Sequence, residues 1–381
     1  MLKPVSTAPQ KIRVLLVDDS VVVRRMLEKL LAREPDVEVI GQAVDGTDGV
    51  NKIRSLKPDV VVLDVEMPGM DGIEVVRTIR RENQAVAIIM FSTLTDRGAS
   101  VALEAMSLGA SDYALKPSAT AESGDAGEQV RAELVTRIRV HGMLSQHRLQ
   151  HGPAAIAPTR AAVKATPPPA SSAPRAPARV TGQARPTVIA IASSTGGPNA
   201  LAELFTCLGA PPAVPMLLVQ HMPPIFTRIL AERLVRASKI PSAEAEDGQT
   251  LEAGKAYVAP GGRHMLVTRG PGGMRLRLCD DPPVNFCRPA ADLMFRSVAE
   301  HYGSGALALV LTGMGEDGLE GARSIRAAGG SVLAQDQASS VVWGMPGAVV
   351  KAGVAEGAFS LEHLAREVQR RTAALARRVG A

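Results

Sequence analysis

The 381-residue sequence predicts an α/β protein with two domains. The first is a flavodoxin-like doubly wound domain with strand order 2-1-3-4-5, and the second a doubly wound domain on a mostly parallel sheet. Three observations predict this. Short apolar, β-branched runs alternate with amphipathic ones along the chain. Acidic, hydroxyl-bearing and Gly-rich turns recur where apolar runs end, the edge at which open parallel sheets carry their sites. A Pro/Ala-rich stretch without aromatic residues separates the two alternating regions. The expected boundaries are 11–148 for the first domain, 149–186 for a linker and 187–381 for the second domain.

Ile12–Val17 reads as a buried strand and Val21–Ala32 as an amphipathic helix capped by Ser20. Val37–Ile40 is a second strand, Gly46–Leu56 a helix, and Asp59–Leu63 a third strand ending at Asp64. A helix from Ile73, a strand at Val86–Phe91 and a helix up to Leu108 follow. A strand at Asp112–Leu115 and a last helix through Ile138 complete five βα units. In the second domain, Thr187–Ala192, Met216–Gln220 and Ala306–Leu311 read as strands, with helices at Asn199–Leu208 and Ala290–Glu300.

Composition narrows the function. Pro153–Pro186 holds eight prolines and eleven alanines, which cannot bury enough surface to offset ordering, so it reads as a Pro-stiffened tether. His141–Pro186 carries six Lys or Arg and no acid, and the rest of the chain stands at −1 against an overall +5. The basic excess therefore belongs to the connector, and the few aromatic residues give no stacking platform, which argues against nucleic-acid binding. No run of eighteen apolar residues predicts a membrane span, and Met1–Gln10 has no apolar signal core, so a cytoplasmic protein is expected. Cys207, Cys279 and Cys287 lack metal-ligand spacing and read as reduced structural thiols.

At the strand ends of the first domain stand Asp18, Asp19, Asp64, Ser92 and Lys116. Three gathered carboxylates repel one another unless a divalent cation sits among them, and oxygen ligands suit Mg²⁺. One carboxylate can then attack a phosphoryl group, with the lysine neutralising the anion and Ser92 bonding the phosphoryl oxygen.

In the second domain Ser194-Thr195-Gly196-Gly197 joins a strand to a helix start. A hydroxyl beside free N–H groups suits acyl transfer, although the same run could be a phosphate-cradling or merely tight turn. His221 follows a strand as Ser194 does, and His264 in the turn Ala259–Met265 is the second choice of base. His141, His147 and His151 fall at the tether. Asp317 in Leu311–Gly318 is the candidate orienting acid, with Glu316 its rival and an N-cap role its plain alternative. The order Ser…His…Asp, and Ala192 in place of an elbow glycine, disfavour a lipase-type hydrolase.

Leu15–Ser20 (LLVDDS), Leu63–Gly72 (LDVEMPGMDG) and Tyr113 before Lys116-Pro117 resemble the motifs of a response-regulator receiver domain. That resemblance implies phosphorylation of Asp64, with Mg²⁺ on Asp19, Asp64 and the backbone carbonyl of Glu66, supported by Asp18. Ser92, Lys116 and Tyr113 would sense the phosphoryl group. SSTGGP (Ser193–Pro198), QHMP (Gln220–Pro223), YVAPGGRHM (Tyr257–Met265), PPVNFCRPAADLMFRSVA (Pro282–Ala299), LTGMGEDG (Leu311–Gly318) and AQDQASSVVWGMP (Ala334–Pro346) resemble the chemotaxis protein-glutamate methylesterase family, CheB. By that resemblance Ser194 is the nucleophile, His221 the base and Asp317 the carboxylate. Thr195 and Met314 belong to the active-site shell, with the Met314 backbone as oxyanion donor. The family carries Gly-Ala where this chain has Ala192-Ser193.

The resemblance implies a phosphorylation-activated esterase that hydrolyses glutamate γ-methyl esters on chemoreceptors and also deamidates receptor glutamines. It implies a histidine kinase as phosphodonor, no cofactor for the ester reaction, and neither nucleic-acid binding nor membrane insertion. The rival readings are the same chemistry on a non-chemotaxis receptor array, or a non-catalytic receptor-binding regulator. The intact Ser, His and Asp set argues against the latter.

Overall fold

A computed structural model describes residues 10–82, 84–117, 125–151 and 185–373. They form two compact units, each around its own parallel sheet. Most of the tether lies outside the described residues.

The first sheet comprises β1 (Ile12–Val17), β2 (Val37–Ala43), β3 (Val60–Asp64), β4 (Ala87–Ser92) and β5 (Asp112–Leu115), in the order β2-β1-β3-β4-β5. Helices α1 (Val21–Leu31), α2 (Gly46–Leu56), α3 (Gly72–Arg81), α4 (Asp96–Ser107) and α5 (Asp125–His151) connect and cover it. Every strand pair is parallel, so both faces must be covered, and β3 and β4 are buried along their whole length. The helix starts are capped as their sequences suggest. Ser20 accepts from Val23 N–H, and Asp71 and Glu74 form a reciprocal capping box at α3.

Two elements depart from expectation. β2 runs three residues past Ile40 because β1 pairs with it as far as Val17↔Ala43. α5 continues beyond Ile138 to His151, where Gly152-Pro153 is the first strong helix breaker. His141 is therefore no tether residue. It is buried on α5, with Nε2 3.2 Å from Asp112 Oδ2.

The second sheet takes β6 (Val188–Ser193), β7 (Met216–Gln220), β8 (Ser242–Glu244), β9 (Ala256–Val258), β12 (Ala306–Val310), β13 (Ser331–Gln335) and β14 (Ala358–Phe359). Its order is β14-β13-β12-β6-β7-β9-β8, and every pair is parallel. β10 (His264–Gly270) and β11 (Gly273–Cys279) form a separate antiparallel hairpin. The helices are α6 (Gly197–Leu208), α7 (Phe226–Ser238), α8 (Ala291–Tyr302), α9 (Leu319–Ala327), α10 (Met345–Lys351) and α11 (Leu361–Thr372). The chain leaves β6 toward β7 on one side and later returns to place β12 on the other. The crevice between β6 and β12 is thus the topological switch point, where doubly wound sheets hold their ligands. Val188, Ala190, Leu217, Val219, Ala308 and Val310 are fully buried behind it. Each buried Val or Leu contributes about 1.5–3 kcal/mol, so the crevice rests on a stiff floor.

Candidate active site

Strand alternation separates the two adjacent serines. Ser193 ends β6 pointing into the protein, fully buried, and its Oγ lies 2.7 Å from Gln220 Oε1. Ser194 is the next residue, only half-buried, at the turn that opens α6. No hydrogen bond ties its Oγ to another described residue. Gln220 also donates from Nε2 to Ser194 O at 2.9 Å, so one amide side chain fastens both serines.

His221 is brought beside them by register. Ser193 pairs with Gln220 across β6 and β7, and His221 N–H donates to Ser193 O at 3.2 Å. Its Nε2 lies 2.7 Å from Asp317 Oδ2. An ionised carboxylate only accepts, so Nε2 carries a proton, and in the neutral ring it is Nδ1 that keeps the lone pair. Cys287 Sγ lies 3.5 Å from that Nδ1, an approach not foreseen from the sequence.

Asp317 is not the side-chain N-cap of its own helix. Gly318 occupies the cap of α9, in the left-handed region and without a side-chain bond. Instead Asp317 accepts from Ala291 N–H at 2.6 Å and Asp292 N–H at 3.1 Å, capping α8 across the crevice. Burial alone would raise its carboxyl. The hydrogen bond and charge of His221, with the two N–H groups, outweigh burial and hold it below the usual carboxylate range. For His221, burial disfavours the cation, but Asp317 and Cys287 push it up to about 10. The rival carboxylate, Glu316, is exposed.

His264 takes another role. It is fully buried, with Nδ1 accepting from Ala290 N–H and Nε2 facing Pro282 O, each at 3.2 Å. Both ring nitrogens are committed to framework. The turn after β12 presses on Ser194: a Cβ at Gly313 would lie 2.9 Å from Ser194 Cβ and collide with Met345 Sδ. Met314 follows, partly exposed, and its N–H makes no hydrogen bond to any described residue. Thr195, next to Ser194, is half-buried.

In the other unit, β1, β3, β4 and β5 bring Asp18, Asp64, Ser92 and Lys116 to one sheet edge. Lys116 Nζ sits 2.9 Å from Asp18 Oδ2 and 2.8 Å from Asp64 Oδ2. Asp18, Asp19 and Asp64 present carboxylate oxygens within 4.8 Å of one another. Asp64 is pushed up to about 6, chiefly by burial and further by Asp18, against the pull of Lys116. Glu66 N–H donates to Asp64 Oδ1 at 3.3 Å. Ser92 and Tyr113 are buried beside the pocket, and the Tyr113 hydroxyl has no partner among the described residues.

Fold and site define a class: an acidic-pocket sheet of receiver type, carried on one chain with an α/β domain whose switch point gathers Ser, His and Asp. Residues 14–125 match the response regulator receiver domain family, and residues 189–368 match the CheB methylesterase family. A protein-glutamate methylesterase/protein-glutamine glutaminase of Nocardioides sp. is 48% identical over 95% of this chain and 96% of its own. One of that name from Rhodopseudomonas palustris is 44% identical over 96% and 95%. The catalytic domain of Thermotoga maritima CheB methylesterase is 36% identical, with a TM-score of 0.46 over 49% of this chain and 98% of that one. The chain belongs to the CheB family of protein-glutamate methylesterase/protein-glutamine glutaminases. No helix among the described residues is long and apolar enough to cross a membrane.

Proposed function

We propose that this chain is a cytoplasmic, phosphorylation-activated protein-glutamate methylesterase acting on methyl-accepting chemoreceptors, and that it also deamidates receptor glutamines. The observation that carries the reading is the His221–Asp317 pair at the switch point, one register step from the available hydroxyl of Ser194. Ser194 Oγ attacks the ester carbonyl and its proton passes to His221 Nδ1, the nitrogen that Asp317 leaves free. This reverses the ring orientation of the chymotrypsin arrangement, in which the acid holds Nδ1. The oxyanion faces the Met314 N–H and the start of α6, with Thr195 in the surrounding shell. His221 returns the proton to methanol as it leaves, and water resolves the acyl-enzyme. With a glutamine side chain, ammonia leaves instead. Cys287 must release Nδ1 before Ser194 can use it.

Residues 11–148 serve as the receiver, 149–186 as the tether and 187–381 as the esterase domain. Asp64 accepts a phosphoryl group from the chemotaxis histidine kinase, Lys116 meets the new charge, and Ser92 and Tyr113 report it. The oxygen-only donors of Asp19 and Asp64, joined by the Glu66 carbonyl and supported by Asp18, fit Mg²⁺. When bound there, Mg²⁺ would neutralise phosphoryl charge. The triad calls on no metal, and the chain engages neither nucleic acid nor the bilayer. The test is methanol release from methylated chemoreceptors with and without a small phosphodonor. Release that rises with phosphodonor supports the reading, and no release from intact protein overturns it.

A further inference from the structure

The segment after β11 places a thiol on the lone pair of the base. Val284 and Cys287 exchange both backbone hydrogen bonds, at 3.1 and 2.9 Å, around a two-residue turn. Its central residues, Asn285 (φ 52°) and Phe286 (φ 62°), both lie in the left-handed region, as a type I′ turn requires. Non-glycine residues hold that conformation only when their surroundings over-determine it. Here Asn285 Nδ2 donates to Asp292 Oδ2 at 3.1 Å, and Asp292 Oδ1 accepts from Gly321 N–H at 2.7 Å. Asp292 belongs to the first turn of α8, whose N–H groups also hold Asp317. Cys287 and His221 are therefore both referred to one helix end.

Their separation is that of a metal-site edge. Zn–S of about 2.3 Å and Zn–N of about 2.0–2.1 Å at a tetrahedral angle put sulfur and nitrogen about 3.5–3.6 Å apart. Cys287 Sγ and His221 Nδ1 stand 3.5 Å apart. Asp317 on Nε2 supplies the carboxylate that usually backs a metal-bound histidine, fixing the tautomer so that Nδ1 points its lone pair at the ion. The ligand atoms of His221, Cys287 and Asp317 fall within 4.8 Å of one another. Both ligands are only partly buried, so an ion can enter and keep water on its open positions.

We propose that Cys287 Sγ and His221 Nδ1 form a binding site for a thiophilic divalent cation, Zn²⁺ above all, and that its occupancy blocks proton transfer at His221. On binding, the Sγ–H proton leaves to solvent, as does the Nδ1–H proton of a cationic His221, and one Zn–S and one Zn–N bond form with no change of oxidation state. Thiolate and imidazole select Zn²⁺ or Co²⁺ over Mg²⁺, so the oxygen pocket around Asp64 and this site take different ions. The inhibitory half rests on His221 being the base, as proposed above. The binding half does not.

The experiment is a Co²⁺ titration of the full-length protein in excess Mg²⁺, read by the near-ultraviolet thiolate-to-Co²⁺ charge-transfer absorption. One equivalent should produce the band, and Zn²⁺ should displace it. Cys287→Ala and Cys287→Ser should both lack it, and a variant with Cys207 and Cys279 both changed to Ala should keep it. A wild-type protein with no band, or a Cys287 variant with an undiminished one, overturns the site. In the second measurement, free Zn²⁺ at about nine times its Kd should lower methanol release about tenfold relative to the metal-free rate. The Cys287 variants, each referred to its own metal-free rate, should lose that sensitivity. A full Co²⁺ band together with Zn²⁺-insensitive methanol release overturns the inhibitory half alone. Absence of methanol release under every condition would overturn the esterase reading and leave the titration to decide the site.

Discussion

Two neighbouring hydroxyls, Ser193 and Ser194, differ in everything that matters for chemistry. Ser193 is sealed against Gln220, whereas Ser194 is only half-buried and its Oγ bonds no other described residue. Ser194→Ala should therefore lower methanol release by about 10⁴-fold or more. Ser193→Ala should cost less than about tenfold in rate but about 1–3 kcal/mol in stability, since it strands the Gln220 amide oxygen. Denaturant melts and initial rates on the two variants separate the effects. His221 must be neutral to accept a proton, and its folded value is raised above the ordinary 6.5. The acid limb of the kcat/KM profile should accordingly lie above pH 6.5 and move down in Asp317→Asn. The same shift stabilises the fold fully below the unfolded value of about 6.5, and that contribution is lost as pH rises toward 10. An acid limb at or below pH 6.5 would count against His221 as the base. At this scale the placement of Ser194, His221 and Asp317 at one sheet edge was legible because each directly follows an apolar strand or its turn. Cys287, Asp292 and Gln220 were not, because their parts come from side-chain contacts that no local pattern encodes.

Among the elements, the five strands of the first sheet were read to within three residues, since buried parallel strands are continuous apolar runs, whereas the end of α5 was not. The hairpin of β10 and β11 escaped notice. So did the capping of α8, because Asp317 reaches it from twenty-five residues downstream of Asp292. Helix ends satisfied from elsewhere in the chain carry no local signature. The turn after β12 gives a clean element-scale test. In Gly313→Ala the new methyl meets Met345 and Ser194, so we expect about 1–3 kcal/mol of destabilisation and a fall in kcat. Gly315→Ala has open space but a φ of +80°, so it should cost about 1–2 kcal/mol of backbone strain. Its kcat should stay closer to wild type. Thermal melts with kcat on both variants check the contrast, and equal losses of kcat would refute it.

For the whole molecule, receiver and esterase should be separable by mutation. Asp64→Asn is expected to abolish phosphate incorporation from the phosphorylated kinase while leaving a low basal methanol release that phosphodonor no longer raises. Retained label in that variant would displace Asp64 as the acceptor. Chelating Mg²⁺ should likewise stop labelling and spare basal hydrolysis. The sheet topology has one more consequence, for synthesis. Ser194 and His221 directly follow β6 and β7, but Asp317 and the turn carrying Met314 follow β12. β12 takes its place only by pairing with β6, where Thr187 and Gly305 meet across 118 residues of chain. Such distant pairing is slow to form, because the intervening loop must be closed first. A chain emerging from the ribosome therefore carries Ser194 and His221 well before β12 can bring Asp317 and Met314 to the same sheet edge.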